Sequence, residues 1–183
     1  MEEKRRVENV ALVMNDYLHL EQSDRKTRWN MKSEICIISC GAKKAWDSDP
    51  GDCKIPVKDL FTGCLFKKCR KFAEAFYPDN WYILSGKYGL IHPDKHVRYY
   101  HLKTPSVLKG NLEYINFVKR QADLMNLKPT IIVSTCGNVH QSVVNAVFTN
   151  SKIINPLSGL GQGKRMQKIN HMLEAKNETR NCR

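Results

Sequence analysis

Three stretches of the chain concentrate side chains that can act on a substrate. The first, Ser85-Gly-Lys87-Tyr88-Gly-Leu-Ile-His-Pro-Asp94, follows the apolar run Trp81-Tyr-Ile-Leu and carries a hydroxyl, an amine, a phenol, an imidazole and a carboxylate. A carboxylate at a strand end activates water or stabilises a developing cation. It does either best when an apolar or hydrogen-bonded surround sets its pKa. Asp94, fixed by Pro93, is the first candidate, with Asp47 and Asp59 beside it. Lys87 offers electrostatic stabilisation or, once desolvated, an amine nucleophile. Tyr88, Tyr99, Tyr100 and Trp46 offer flat faces for stacking on a base. Each residue alone has a plainer use: aromatics in the core, Lys87 on the surface, Asp94 capping a turn. Their density on one loop favours a site. Gly86 is expected to take backbone angles denied to other residues.

The second stretch, Gly41 to Val57, has no hydrophobic period but carries Lys43, Lys44, Trp46, Asp47, Asp49 and Asp52 among glycines and prolines. Long loops of this kind inside compact domains are often functional. The third is Leu157 to Gly163, followed by Lys164 and Arg165. Its glycines permit close backbone approach to a phosphate at the start of the final helix, or equally a flexible hinge into that helix. It is not a phosphate-loop nucleotide motif, because no Ser or Thr follows the lysine to hold magnesium. Gly159-x-Gly161-x-Gly163 has the wrong spacing for a dinucleotide fingerprint. His92, His96 and His101 match no strong zinc pattern, and Ser85-Gly86 lacks the frame of a nucleophile elbow. Neither a metal nor a cofactor is expected.

The elements that must position these stretches alternate. Glu34 to Cys40 is a nearly all-apolar strand, as one covered on both faces should be. A helix over 58–76 follows, then the strand beginning at Trp81, a helix over 110–127, a strand over 130–134, a helix around 139–148, a short strand over 152–155 and a last helix over 163–174. Strands alternating with helices predict an α/β domain, residues 34–175, with a mostly parallel sheet of about four strands flanked by helices. Residues 1–33 read as an extra amphipathic helix (about 5–21) and a basic arm around Trp29, and 176–183 as a flexible tail. In an open α/β sheet ligands bind outside the carboxyl ends of the strands. The loops 41–57, 85–109 and 135–138, with 155–163 as a fourth, are therefore expected at one edge.

Lys and Arg number 30 against 18 Asp and Glu, a formal charge of +12, which points to a polyanionic partner, nucleic acid before acidic membrane. No run reaches the ~18 apolar residues of a membrane span, and no secretory core follows the charged N-terminus. The seven cysteines are odd in number, scattered and free of CxxC pairs, which argues against a disulfide framework. The expected location is intracellular: cytoplasm, nucleoid or nucleus.

Four blocks in order carry a resemblance over roughly residues 34–170: Ile37-Ile-Ser-Cys40-Gly-Ala-Lys43-Lys-Ala-Trp46-Asp47, Val57-Lys-Asp59-Leu-Phe61-Thr62-Gly63, Ser85-Gly-Lys87-Tyr88-Gly-Leu-x-x-Pro93-Asp94, and Pro156-Leu-x-Gly-Leu-Gly-x-Gly163-Lys164. They resemble a family of small, largely uncharacterised proteins similar to the YaaA peroxide-stress proteins. Here the aspartate stands one position nearer the proline than in the YaaA pattern, and the chain is much shorter. The resemblance implies an α/β domain associated with DNA and nucleobase chemistry, some relatives being DNA glycosylases. It places Cys40, Gly41, Thr62 and Gly63 beside Ser85, Tyr88, Trp46, Tyr99 and Tyr100 as substrate contacts.

The expected function is then a DNA glycosylase that flips a modified base out of a duplex and cleaves its N-glycosidic bond with carboxylate assistance. Asp94, Lys87, Asp47 and Asp59 are the catalytic candidates. Lys43, Lys44, Lys67, Lys68, Lys71, Lys164 and Arg165 would hold phosphates. A non-catalytic DNA-binding protein and an enzyme of free nucleotides or nucleosides are the alternatives. Oligomeric state is left open.

Overall fold

The computed structural model describes residues 33–45, 54–98, 100 and 111–181. The expected N-terminal helix and arm lie outside these residues, as do Trp46, Asp47, Tyr99 and His101.

The described residues form seven strands and five helices: β1 (Glu34–Ser39), β2 (Ile55–Pro56), α1 (Val57–Leu60), α2 (Cys64–Phe76), β3 (Trp81–Ser85), β4 (Gly89–Ile91), β5 (His96–Val97), α3 (Leu112–Leu124), β6 (Ile131–Ser134), α4 (Asn138–Val147), β7 (Lys152–Ile154) and α5 (Gln162–Asn181). The main sheet has the order β4-β3-β1-β6-β7. β3, β1, β6 and β7 are parallel, and β4 runs antiparallel on the edge. The protein is thus an α/β domain with a mostly parallel sheet flanked by helices. The sheet has one strand more than expected because Gly89–Ile91 turns back along β3. β2 and β5 form a separate antiparallel pair.

Alternation along β1 shows why both faces are covered. Ile35 and Ile37 join a core with Tyr82, Leu84, Ile132, Tyr114, Phe117, Val118, Val143 and Val144, beneath α3 and α4. Cys36 and Ile38 point the other way, into a core with Ile83, Val133, Phe66, Cys69, Phe72 and Ile169, beneath α2 and α5. The first crossover, through α2, runs outward from β1 to β3. The next, through α3, returns past β1 to β6. Because parallel crossovers share one hand, that reversal switches the helices to the opposite face. The strand order reverses between β1 and β6, which is where such sheets open a crevice at their carboxyl ends.

Three local expectations are corrected. The predicted helix over 58–76 is broken at Phe61-Thr62-Gly63 into α1 and α2, where Lys44 bridges to Phe61 and Thr62 N–H donates to the Lys43 carbonyl (3.0 Å). The last helix continues to Asn181, past the end expected at Glu174 and through the segment expected to fray. There Lys176 Nζ donates to the Ala75 carbonyl and lies over the Phe76 ring, fastening that turn to the end of α2. The left-handed glycine of the Ser85–Asp94 stretch is Gly89 (φ +67°), not Gly86. A Cβ at Gly89 would stand 2.0 Å from Gln121 Oε1. Gln121, fully buried, accepts from Leu90 N–H and donates to the Tyr88 carbonyl, both at 2.8 Å. The β3–β4 turn is therefore clamped by one side chain of α3.

No helix among the described residues is long and apolar enough to cross a membrane.

Candidate active site

The crevice is built where β1 and β6 part. Cys40 N–H still donates to the Leu84 carbonyl of β3 (3.0 Å), and Thr135 N–H to the Ile37 carbonyl of β1 (3.1 Å). Beyond these bonds the chains diverge into Cys40-Gly41 on one side and Cys136-Gly137 on the other. A cavity of about 490 Å³ opens on the β6–β7 side, within the ~300–1,000 Å³ range of small-molecule sites. Cys136 to His140 form one wall, Leu157 to Gly161 another, and Arg165 reaches in from the first turn of α5.

The walls are held by a polar network. Asn155 Nδ2 donates to the Cys136 carbonyl (3.0 Å) and to Gln141 Oε1 (2.7 Å), while its Oδ1 accepts from Leu157 N–H (2.9 Å). Ser134 Oγ donates to the same Gln141 oxygen at 2.8 Å. One asparagine thus ties the loop after β7 to the loop after β6. Gly159 adopts φ +72° in that loop, a conformation that favours glycine.

The cavity is electropositive. α4 begins at Gly137 with no side-chain cap and no acidic residue in its first turn, leaving helix N–H groups at the wall. Neither does α5 carry an acidic residue in its first turn. Arg165 Nη2 donates to the Thr135 carbonyl (2.6 Å), while its buried Nε has no partner. Arg165 is therefore part of the cavity wall, and Lys164 beside it is exposed.

Next to the cavity stands a pair that sequence reasoning divided. Cys40 Sγ lies 3.4 Å from Nε2 of His140. Burial pulls the imidazole down to about pKa 4, so it is neutral near pH 7. Cys40 was among the expected contacts; His140 was missed. Its signal was positional: a histidine in the first turn of a helix that follows a Thr-Cys-Gly turn at a strand's carboxyl end.

On the other side of Cys40 lie the carboxyl end of β3 and Tyr100. Tyr100 is buried, its hydroxyl 3.4 Å from Ser85 Oγ and its ring edge-on to Tyr88. Burial, then the neighbouring Cys40, push the Tyr100 phenol upward. Lys44 Nζ and Lys87 Nζ approach the Tyr100 ring to 4.9 Å and 5.4 Å, the range of cation–π contact. Tyr88 hydroxyl donates to the Arg98 carbonyl (3.1 Å), and Tyr114 hydroxyl to the Ser85 carbonyl (2.6 Å). Ser85, Lys87, Tyr88, Tyr100, Lys44 and Cys40 are thus brought together. Tyr88 and Tyr100 are largely buried, so neither ring is an open stacking platform.

Asp94 is not part of this assembly. Because β4 runs back along β3, His92-Pro-Asp94 is carried toward the amino end of that strand, with the His92 ring 6.0 Å from Tyr82. Its side chain is 61% exposed and bonded to Lys58 Nζ at 2.5 Å, a contact that lowers its pKa and weakens it as a base. Asp59 is likewise engaged, with Arg70 at 2.5 Å. Asp47, the catalytic candidate on the loop leaving β1, lies outside the described residues. Gly41 packs beside Phe61 at the base of its loop, Thr62 Oγ1 is buried without a partner, and Gly63 caps α2. Lys43, Lys67 and Lys71 are exposed, whereas Lys68 donates to Asn170 Oδ1 (2.6 Å) across the α2–α5 contact. Among the described residues no three His, Cys, Asp or Glu side chains are grouped to hold a metal.

Residues 35–171 match the family of unknown function DUF6884. The chain belongs to that family. It is also 30% identical, over 149 residues, to the uncharacterized protein YfjM of Bacillus subtilis (strain 168), a match covering 79% of this chain and 97% of the relative. The family match begins in β1 and ends within α5, so it spans the sheet and every loop that builds the crevice.

Proposed function

We propose that this protein is an enzyme that binds DNA through its basic surface and cleaves the N-glycosidic bond of a modified base, with the crevice between β1, β6 and β7 as its active site. The observation that carries this is the cavity itself. It lies beyond the carboxyl ends of β6 and β7, is lined by the first turn of α4 and by Arg165, and adjoins a thiol–imidazole pair that reaches it from β1. Arginine and helix N-termini suit a phosphate flanking the reacting nucleoside. One of the blocks that carry the resemblance, Pro156 to Lys164, supplies the Leu157–Gly161 wall, and the net charge of +12 suits a polyanion. In this assignment Lys43, Lys67, Lys71 and Lys164 contact the backbone of the DNA. Asp47 is the carboxylate assigned to stabilise the positive charge that develops on the sugar. Asp94 has no role.

A cavity of this size equally suits a single nucleotide, which keeps an enzyme of free nucleotides as a second use of the same site. One assay separates them. Duplexes carrying a panel of modified bases and the matching nucleoside monophosphates are incubated in parallel with the protein, and released base is measured. Release from duplex alone supports the DNA enzyme, and release from monomers alone supports the nucleotide enzyme. Tight, salt-sensitive DNA binding with no release from either means a non-catalytic DNA-binding protein.

A further inference from the structure

We propose that Cys40 is the nucleophile of the crevice and that His140 takes and returns its proton. This deepens the glycosidic reading above and rests on it for the identity of the electrophile, the sugar carbon C1′. Cys40 Sγ and His140 Nε2 are 3.4 Å apart, already within contact for proton transfer between sulfur and nitrogen. His140 lines the cavity, and Cys40 is partly exposed at the mouth of β1. The surrounding thiols differ. Cys36, Cys69 and Cys136 are buried, and burial raises the pKa of each. Cys40 faces the first turn of α4, which has no side-chain cap and whose positive end favours a thiolate. Among the described residues, the titratable and charged groups around the pair include Cys136 after β6, Tyr100, Tyr114 of α3 and Arg165 of α5, none of them a carboxylate. Burial keeps the imidazole neutral but also lowers its basicity, so Nε2, in the tautomer whose proton sits on Nδ1, takes the thiol proton only as the Sγ–C1′ bond forms.

The chemistry closes on itself. As the Sγ–C1′ bond forms and the N-glycosidic bond breaks, the thiol proton passes to Nε2 and from there to the departing base nitrogen. Water then attacks C1′ and gives a proton to Nε2. As the S–C1′ bond breaks, that proton returns to sulfur. The products are free base and the sugar hydroxyl, with water as the co-reactant.

The test uses the full chain and no substrate at first. Iodoacetamide is added in limiting amount between pH 6 and 9, and alkylation of each cysteine is followed by mass spectrometry. Cys64, exposed at the start of α2, is the internal reference. Cys40 is expected to react on the order of tenfold faster than Cys64 near pH 6.5 despite its lower exposure, and to lose that advantage in His140→Gln. Slower reaction than Cys64 throughout, or a rate unchanged by His140→Gln, overturns the pair. The wild-type ratio alone decides the matter if the variant does not fold. With a substrate in hand, Cys40→Ala should abolish base release while DNA binding persists; retained release overturns the nucleophile. Alkylation needs no substrate, so a failure of the glycosidic assignment leaves a different signature from a failure of the pair.

Discussion

Lowering the pH should expose His140 as a specific weak point. Burial holds its imidazole neutral, with the pKa drawn from an ordinary 6.5 down to about 4. Between those values the unfolded chain takes up a proton that the folded chain refuses, so stability at this site falls as pH falls through that window. With one pKa unit equal to about 1.4 kcal/mol, the loss between pH 7 and pH 5 is about 2 kcal/mol from this residue alone. The quantity to measure is a difference of differences, so that the rest of the chain's response to pH cancels. Urea unfolding of wild type and His140→Gln is followed at pH 7 and pH 5. Wild type should lose about 2 kcal/mol more than the variant across that interval. Losing the Cys40 contact affects both pH values alike and cancels. Equal losses in the two proteins would show that burial does not hold His140 neutral through that window.

Other outcomes follow from single contacts. Gly89→Ala should cost about 2–4 kcal/mol in urea unfolding, since a side chain at φ +67° is strained and displaces the Gln121 amide from its two backbone partners. Tyr114→Phe should cost about 1–2 kcal/mol by leaving the buried Ser85 carbonyl without its donor, measured the same way. Asp94→Asn should change stability by less than about 1 kcal/mol, because its pairing with Lys58 is exposed. DNA affinity should fall steeply with salt, and each of Lys67→Ala and Lys71→Ala should reduce the slope of log affinity against log salt by about one unit.

The fold was legible where hydrophobic pattern and chain economy agree. β1, β3 and β6 are short apolar runs spaced by amphipathic helices, and that spacing dictates a parallel sheet. β4 escaped because Gly89-Leu-Ile is only three residues long, and its pairing depends on Gln121, which lies on a different helix. Missing β4 also misplaced Asp94: a loop continuing outward would have left it at the carboxyl edge, whereas an antiparallel return carries it toward the other end. The break in the helix over 58–76 was hidden because Leu60, Phe61, Cys64 and Leu65 keep a helical period through Thr62-Gly63. At the site, the meeting of the loops after β6 and β7 in one cavity, with Cys40 after β1 beside it, followed from topology. His140 did not, since a histidine among Asn, Val, Gln and Ser has no spacing signal, and its meaning comes from Cys40, a hundred positions away. Arg165 looked like a surface cation because sequence does not show which side of a helix start bends inward.

Base release by Arg165→Gln and Asp94→Asn, compared with wild type on a cleavable duplex, tests the placement of the active site most directly. With the crevice as the site, Arg165→Gln should lower kcat/KM by on the order of tenfold or more, and Asp94→Asn should match wild type. Loss of release in Asp94→Asn with full activity in Arg165→Gln would place the chemistry at the β4 turn and contradict the account.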